Sequence, residues 1–274
     1  MQININIRRL KVISELRAFI RAETCFFISG MAVSGALIFG YSLQSIIAVF
    51  IAVFMASAAG YANNHMTDSK EDAVNNKRLN HFVADRVGRL VIAAVSIIGF
   101  LAAITLPPPS FIFFIFCYAA SMGYSLFGAK RMLLVKNLYT GIIIGGSFLV
   151  GATSGGSLAY DMVAYYLIVF AFGVMLNMLG DIRGIDGDRL NGIRTIPVVL
   201  GAKAARKAVY SIIIASTISL LCLGMWRFYP LIPFMLAIYL FVFMRNDRGA
   251  RASIISSFAA LPVVLLFIDI VGGY

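Results

Sequence analysis

The stretch LQSIIAVFIAVFMASAAGYANNHMTDSKED, residues 43–72, decides the fold. Its first part, 43–62, is an apolar run of the length that crosses about 30 Å of hydrocarbon, for which roughly 20 residues suffice. Polarity then changes abruptly: Asn64, Asp68 and Asp72 follow at strict four-residue spacing. Similar apolar runs fall at about 22–40, 87–106, 109–127, 136–154, 161–180, 206–226, 229–244 and 252–271. Over 274 residues the chain is 61% hydrophobic and 13% charged, with a mean hydropathy of +0.90, which excludes an ordinary soluble domain. The pattern predicts an all-α, polytopic membrane bundle of nine transmembrane helices, with Pro107, Pro108 and Pro109 marking the sharpest turn. No linker or low-complexity tract interrupts it, so residues 1–274 are read as a single membrane domain.

A net charge of +11 invites a nucleic-acid reading, but the placement of the basic residues points to topology instead. Arg8, Arg9, Lys11, Arg17 and Arg21 precede the first run. Lys70, Lys77, Arg78, Arg86 and Arg89 follow the second; Lys130, Arg131 and Lys136 follow the fourth. Arg183, Arg189, Arg194, Lys203, Arg206 and Lys207 follow the sixth, and Arg245, Arg248 and Arg251 the eighth. Only Arg227 falls on the other side. The positive-inside rule then puts the N-terminus in the cytoplasm and, with nine spans, the C-terminus outside. The partner expected is membrane lipid, with no nucleic acid and no obligatory protein partner. Cys25, Cys117 and Cys222 lie within spans as small apolar side chains and make no disulfide framework. The run at 22–40 lacks a small-residue cleavage site and is read as a retained span.

Seven of the 12 acidic residues fall in two cytoplasmic segments, about 63–86 and 181–205. If the second helix continues past the membrane surface, Asn64, Asp68 and Asp72 project from one face. Asp68 and Asp72 repel one another, and Glu71 adds to the density, so a cation is called for. Mg²⁺ takes oxygen ligands and is held by one or two carboxylates together with substrate phosphates. In the second segment, GDIRGIDGDRLNGIRTIP at 180–197, Asp181 and Asp188 are seven apart and share a helical face, while the interleaved glycines let the backbone bend or approach a ligand. The EF-hand spacing is absent. Asn64-x-x-x-Asp68 is echoed by Asn177-x-x-x-Asp181, in keeping with duplication of a four-helix unit. Ordinary solvated loop acids would account for either segment alone, but less readily for both at one end of a bundle.

These motifs resemble those of the UbiA-type intramembrane prenyltransferases. The likeness rests on N-x-x-x-D-x-x-x-D after the second run and D-I-R-x-I-D-G-D-x-x-x-G-x-x-T-I-P-V-x-L-G after the sixth, and it extends to the nine-helix topology. It implies that Asn64, Asp68, Asp72, Asp181 and Asp188 bind Mg²⁺ and the diphosphate of an isoprenoid donor at the cytoplasmic mouth of the bundle, with Asp186 contributing to the metal. The chain departs from the family in His65, where an Asp is common, in Gly184, where a second Asp is common, and in 75–80, NNKRLN, which lacks the usual prolines.

A diphosphate also needs cationic donors. Arg21, Lys130, Arg131, Lys136 and Arg183 are placed to supply them, and Tyr124, Ser125, Lys130, Arg131 and Lys136 are similar to the family's connection between its fourth and fifth helices. Lys136 and Tyr124 lead this set. Arg21 stands where the family reads R-P-x-N, although an interfacial anchor would have the same place. His65 adjoins the first motif and is a candidate base, His81 a weaker one. Tyr139, Phe148, Phe170 and Met175 fit a lipid path, as they also fit plain packing, and Trp226, Phe228 and Tyr229 fit an outer aromatic belt.

The resemblance implies Mg²⁺-dependent transfer of a prenyl group from an allylic diphosphate to a lipophilic acceptor. The similarity of the Tyr124–Lys136 connection and the chain's brevity favour the archaeal-lipid branch, which joins geranylgeranyl diphosphate to geranylgeranylglyceryl phosphate in ether-lipid biosynthesis. An aromatic acceptor, as in quinone biosynthesis, is the alternative within the family. Outside it, a secondary transporter would require ionisable residues near the bilayer midplane, where this chain has almost none.

Overall fold

The computed structural model describes residues 2–40, 42–67, 69, 80–83, 86–126 and 132–272, and among them there is no strand. The helices are α1 (Gln2–Phe19), α2 (Ala22–Phe39), α3 (Leu43–Thr67), α4 (Arg86–Ile104), α5 (Pro108–Leu126), α6 (Val135–Ala152), α7 (Asp161–Arg183), α8 (Ile185–Leu190), α9 (Ile196–Leu200), α10 (Ala202–Cys222), α11 (Ile232–Phe243) and α12 (Asp247–Gly272). Short 3₁₀ turns stand at His81–Val83 and Trp226–Leu231.

Each of the nine apolar runs coincides with a helix. Among the described residues eight are long and apolar enough to cross a membrane, the 3₁₀ turn at Trp226 and α11 counting as one, and the ninth, Pro108–Tyr124 within α5, is shorter. Side chains such as Leu90, Ile97 and Leu101 on α4, or Leu236, Phe243 and Ile270 near the C-terminus, are exposed around the perimeter. That is a costly arrangement in water and the expected one in lipid. The basic opening segment forms α1, a helix too polar to cross the membrane.

Small residues draw the helices together where hydrophobicity gives no driving force, since lipid tails are as apolar as leucine. A side chain on Gly35 would collide with the carbonyl of Phe148, and one on Gly151 with the carbonyl of Ala32, so α2 and α6 touch backbone to backbone. The buried core runs between α2, α3, α6, α7 and α12. Proline at the start of α5 sits in the first turn, where its missing N–H has no helical partner to lose.

Two irregularities shape one end of the bundle. Arg21, between α1 and α2, has a left-handed backbone at φ 50° and ψ 53°, which costs energy for a residue with a Cβ. At Gly184 the chain leaves α7, its N–H bonded back to the carbonyls of Gly180 and Asp181, and enters the short helix α8.

Candidate active site

The starts of α2, α6 and α12 and the ends of α3, α5 and α7 enclose a cavity of about 720 Å³. Its lining includes Arg21, Asn64, Tyr124, Lys136, Asp181 and Asp188, all expected from the sequence. Deeper in, the wall turns apolar at Ile28, Ile143, Ile144, Leu176 and Ile255.

Asp181 is the best-held group. Only 3% exposed, it places one carboxylate oxygen 2.6 Å from Lys136 Nζ and accepts a hydrogen bond at the other from Asn137 Nδ2 at 3.1 Å. Asp188 Oδ2 approaches the same Lys136 Nζ at 3.8 Å, beyond hydrogen-bonding distance, and is buried without a hydrogen-bond partner. The two aspartates therefore converge, but not along one helix: α7 ends between them, and the turn at Gly184 swings Asp188 back toward Lys136 from α8. The bend foreseen at the glycines, more than the seven-residue period, brings them together. Gly184 and Gly187 form part of the lining, where the absence of side chains leaves the floor open.

On the other side of the cavity Arg21 Nε donates to His65 Nε2 at 3.1 Å, and its guanidinium lies 5.1 Å above the Tyr61 ring. His65 packs edge-on against buried Phe19, 6.1 Å between centroids. Accepting that bond requires the Nε2 lone pair, so His65 orients the arginine as a neutral imidazole. Tyr124 is set by Tyr139, its ring 5.5 Å away, and Tyr139 in turn donates to the Ala120 carbonyl at 2.9 Å.

Asp186 and Arg183 are exposed and outside the lining, because the helical turn that carries Asp188 inward carries Asp186 outward. Phe148 and Met175 are fully buried in the core, and neither they nor Tyr139 and Phe170 line the cavity. Asp68, Asp72, Lys130 and Arg131, with the side chains of Ser125 and His81, lie outside the described residues. Three cavity-side residues escaped the sequence reading as site residues. Asn137 buttresses Asp181. Asn177, in the sequence an echo of Asn64, and Arg251, there one more basic residue near a span end, both line the cavity. Asn177 Nδ2 and Arg251 Nε are buried without hydrogen-bond partners. The four-residue spacing of Asn177 and Asp181 was the one available signal.

The profile of the UbiA prenyltransferase family matches residues 24–267. The chain belongs to that family. Two digeranylgeranylglyceryl phosphate synthases are among its relatives. That of Methanothermobacter thermautotrophicus is 24% identical over 254 residues, covering 87% of this chain and 88% of the relative. That of Thermococcus gammatolerans is 26% identical over 258 residues, covering 87% and 92%. Among solved structures, the apo UbiA homologue of Aeropyrum pernix superposes with a TM-score of 0.73 at 19% identity, over 90% of this chain and 98% of that one. The UbiA homologue of Archaeoglobus fulgidus bound to DMAPP and Mg²⁺ gives 0.73 at 16% identity, over 93% and 99%. The all-helical membrane bundle read from the sequence thus shares the fold of these UbiA homologues.

This integral membrane prenyltransferase has the oxygen donors that a hard divalent cation requires. Among the described residues no three acidic, His or Cys side chains form a metal group. The Asp181–Asp188 pair nevertheless fits: the unpartnered Asp188 oxygen and the ammonium of Lys136 between two carboxylates mark a place that holds positive charge.

Proposed function

We propose that this prenyltransferase transfers the geranylgeranyl group of geranylgeranyl diphosphate to the glycerol hydroxyl of geranylgeranylglyceryl phosphate, forming a second ether link. Asp181 and Asp188 of the second motif, with Asn64, Asp68 and Asp72 of the first, hold Mg²⁺ and the donor. The relatives named digeranylgeranylglyceryl phosphate synthase, similar over most of both chains, support the acceptor. The observation that carries the reading is a cavity whose polar mouth, built on Lys136, Asp181 and Asp188, passes directly into an isoleucine-lined interior. It accommodates an anionic head and a hydrocarbon tail in one path.

When bound, Mg²⁺ supplies Lewis-acid stabilisation of charge on the diphosphate. Lys136, released from the carboxylates, donates to diphosphate oxygens and stabilises the charge that grows there as the allylic C–O bond breaks and its electron pair leaves with the diphosphate. Asn137 keeps Asp181 from turning. The acceptor oxygen then bonds to the allylic carbon, and its proton is taken up by the released diphosphate. The apolar wall excludes water that would otherwise capture the carbon. We propose that residues 1–274 act as one membrane domain and that the cavity faces the cytoplasm of the cell membrane, a reading supported by the sequence, in which every basic residue but Arg227 falls in segments on one side of the apolar runs.

Purified protein in lipid nanodiscs, given Mg²⁺ and labelled geranylgeranyl diphosphate, should release diphosphate with geranylgeranylglyceryl phosphate as acceptor and stop on addition of a chelator. Turnover with a hydroxylated aromatic acid alone would replace the acceptor, and no turnover with either would overturn the proposed reaction.

A further inference from the structure

The mouth of the cavity has cationic groups on two walls, and only one of them belongs to the carboxylate pair. Lys136, at the start of α6, is bound to Asp181 and lies near Asp188. Arg21, at the start of α2, and Arg251, in the first turns of α12, stand on neighbouring helices that pack together. They are within electrostatic reach of each other, and repel. Arg251 has no carboxylate within ion-pair distance among the described residues, and its Nε is buried with no acceptor. Its Nη1 lies 3.9 Å from where a Cβ on Gly180 would stand, an ordinary contact distance that places the guanidinium beside α7. Arg21 is held in a left-handed backbone by the turn between α1 and α2, with His65 and Tyr61 fixing its head. Two oriented guanidiniums that make no ion pair among the described residues, with Asp181 acting on Arg251 only at longer range, form a wall suited to an anion.

Below them the wall turns apolar along each helix. Thr24 and Ile28 follow Arg21 on one face of α2, and Ile255 lies one turn below Arg251 on α12, all in the cavity lining. A second track of the same kind descends α6 through Lys136, Thr140 and Ile143 or Ile144. Each runs from cation to hydroxyl or directly to isoleucine, which is the order of groups in a phosphorylated isoprenoid lipid read from head to tail.

Resting on the prenyl-transfer reading above, we infer that the cavity has two lipid tracks, and that Arg21 and Arg251 bind the phosphate monoester of the acceptor lipid while Lys136 and the aspartates bind the donor diphosphate. The reaction brings two anionic heads into one mouth, and separate cationic walls let both enter without direct repulsion. The phosphate-free alcohol of the acceptor lacks the group that this wall recognises. Asn177, one turn from Asp181 toward the apolar interior, adds a free amide donor to the cavity.

Steady-state kinetics in nanodiscs with geranylgeranyl diphosphate, Mg²⁺ and either geranylgeranylglyceryl phosphate or its phosphate-free alcohol test this. The wild-type protein should prefer the phosphorylated acceptor. Arg251→Gln should lose most of that preference, raise the acceptor KM about tenfold or more, and leave the donor KM within about twofold. Arg251→Lys should recover part of the preference, since a point charge replaces the fork. A rise in donor KM in its place, or an unchanged preference, overturns the inference. If Arg251→Gln fails to fold, Arg21→Gln probes the same wall with the same expected loss, and a retained preference there is equally decisive. Failure of the parent reading looks different: the wild type then turns over neither glyceryl acceptor, and both fall.

Discussion

The two ends of the bundle treat an arginine in opposite ways. Away from the cavity, Arg227 donates to the Leu37 carbonyl at 2.9 Å, stands 3.3 Å from Asp269 Oδ1 and lies 5.0 Å from the centre of the Trp226 ring. Its chain neighbour Phe228 packs against Phe148 and Tyr165, edge to face with the latter at 4.7 Å. At the cavity end, Arg251 has a buried Nε and no acceptor. Asn137 Oδ1, Asn177 Nδ2 and Asp188 Oδ2 share that condition; elsewhere among the described residues only Ser154 Oγ and Thr195 Oγ1 do. Buried polar groups are normally paired because leaving one unmade costs about 1–3 kcal/mol. One end therefore pairs its arginine internally, which serves stability, with Ser154 Oγ its unbonded group, and the other keeps several donors and acceptors for a ligand.

The comparison breaks most sharply at Asp181. Asp181→Asn removes the charge that faces the cation site while keeping size and the contact with Asn137. Turnover should fall by more than about a hundredfold, as for loss of a group that stabilises transition-state charge, with a smaller loss of stability than in Lys136→Gln because the lysine keeps Asp188 beside it. Near-normal turnover in the variant would place the chemistry elsewhere. Lys136→Gln should also lower turnover strongly, and it has a second signature. Without the ammonium, Asp181 and Asp188 face each other unneutralised, so the variant should be less stable without metal and gain more stability from added Mg²⁺ than the wild type does. An equal Mg²⁺-induced shift in melting temperature would show that Lys136 does not occupy the place of a cation.

The opposite end predicts the reverse division. Asp269→Asn leaves Arg227 with the Leu37 carbonyl and the Trp226 ring but no counter-ion. A loss of about 2 kcal/mol is expected, a drop in melting temperature of several degrees, with kcat/KM unchanged. A fall in turnover without loss of stability would mean that the two ends are coupled.

What could be read from the sequence follows the same division. Spans are legible because a stretch of about 20 apolar residues has few alternatives, and Asn64 and Asp181 because a polar residue at the end of such a run is conspicuous. Lys136 was legible by its place in the connection to the fifth span. Arg251 is not: among the 22 basic residues that the sequence puts on one side of its apolar runs, nothing local separates a topology signal from a ligand group. Its meaning depends on α12 reaching α7 at Gly180, a contact between residues far apart in the chain. Asn137 was hidden for the same reason, as its partner Asp181 is 44 residues away. The exit of the chain at Gly184 was half legible: the glycines showed that the helix could bend, and only packing shows where the bend sends Asp186 and Asp188.

That last point carries the smallest expected effect and the finest test. Asp186 and Asp188 are two residues apart in GIDGD, and by composition either could serve the cation. On α8 a step of two residues turns the side chain by roughly 200°, so only one can face inward. Asp188 lines the cavity beside Lys136, whereas Asp186 is exposed and outside it. Asp186→Asn should change kcat/KM by no more than about twofold, while Asp188→Asn, made in parallel, should follow Asp181→Asn toward inactivity. Equal losses in both variants would mean that α8 turns about its axis when substrate binds. A loss at Asp186 alone would mean that the helix carries the opposite face to the ligand, and the assignment of the second motif would pass from Asp188 to Asp186.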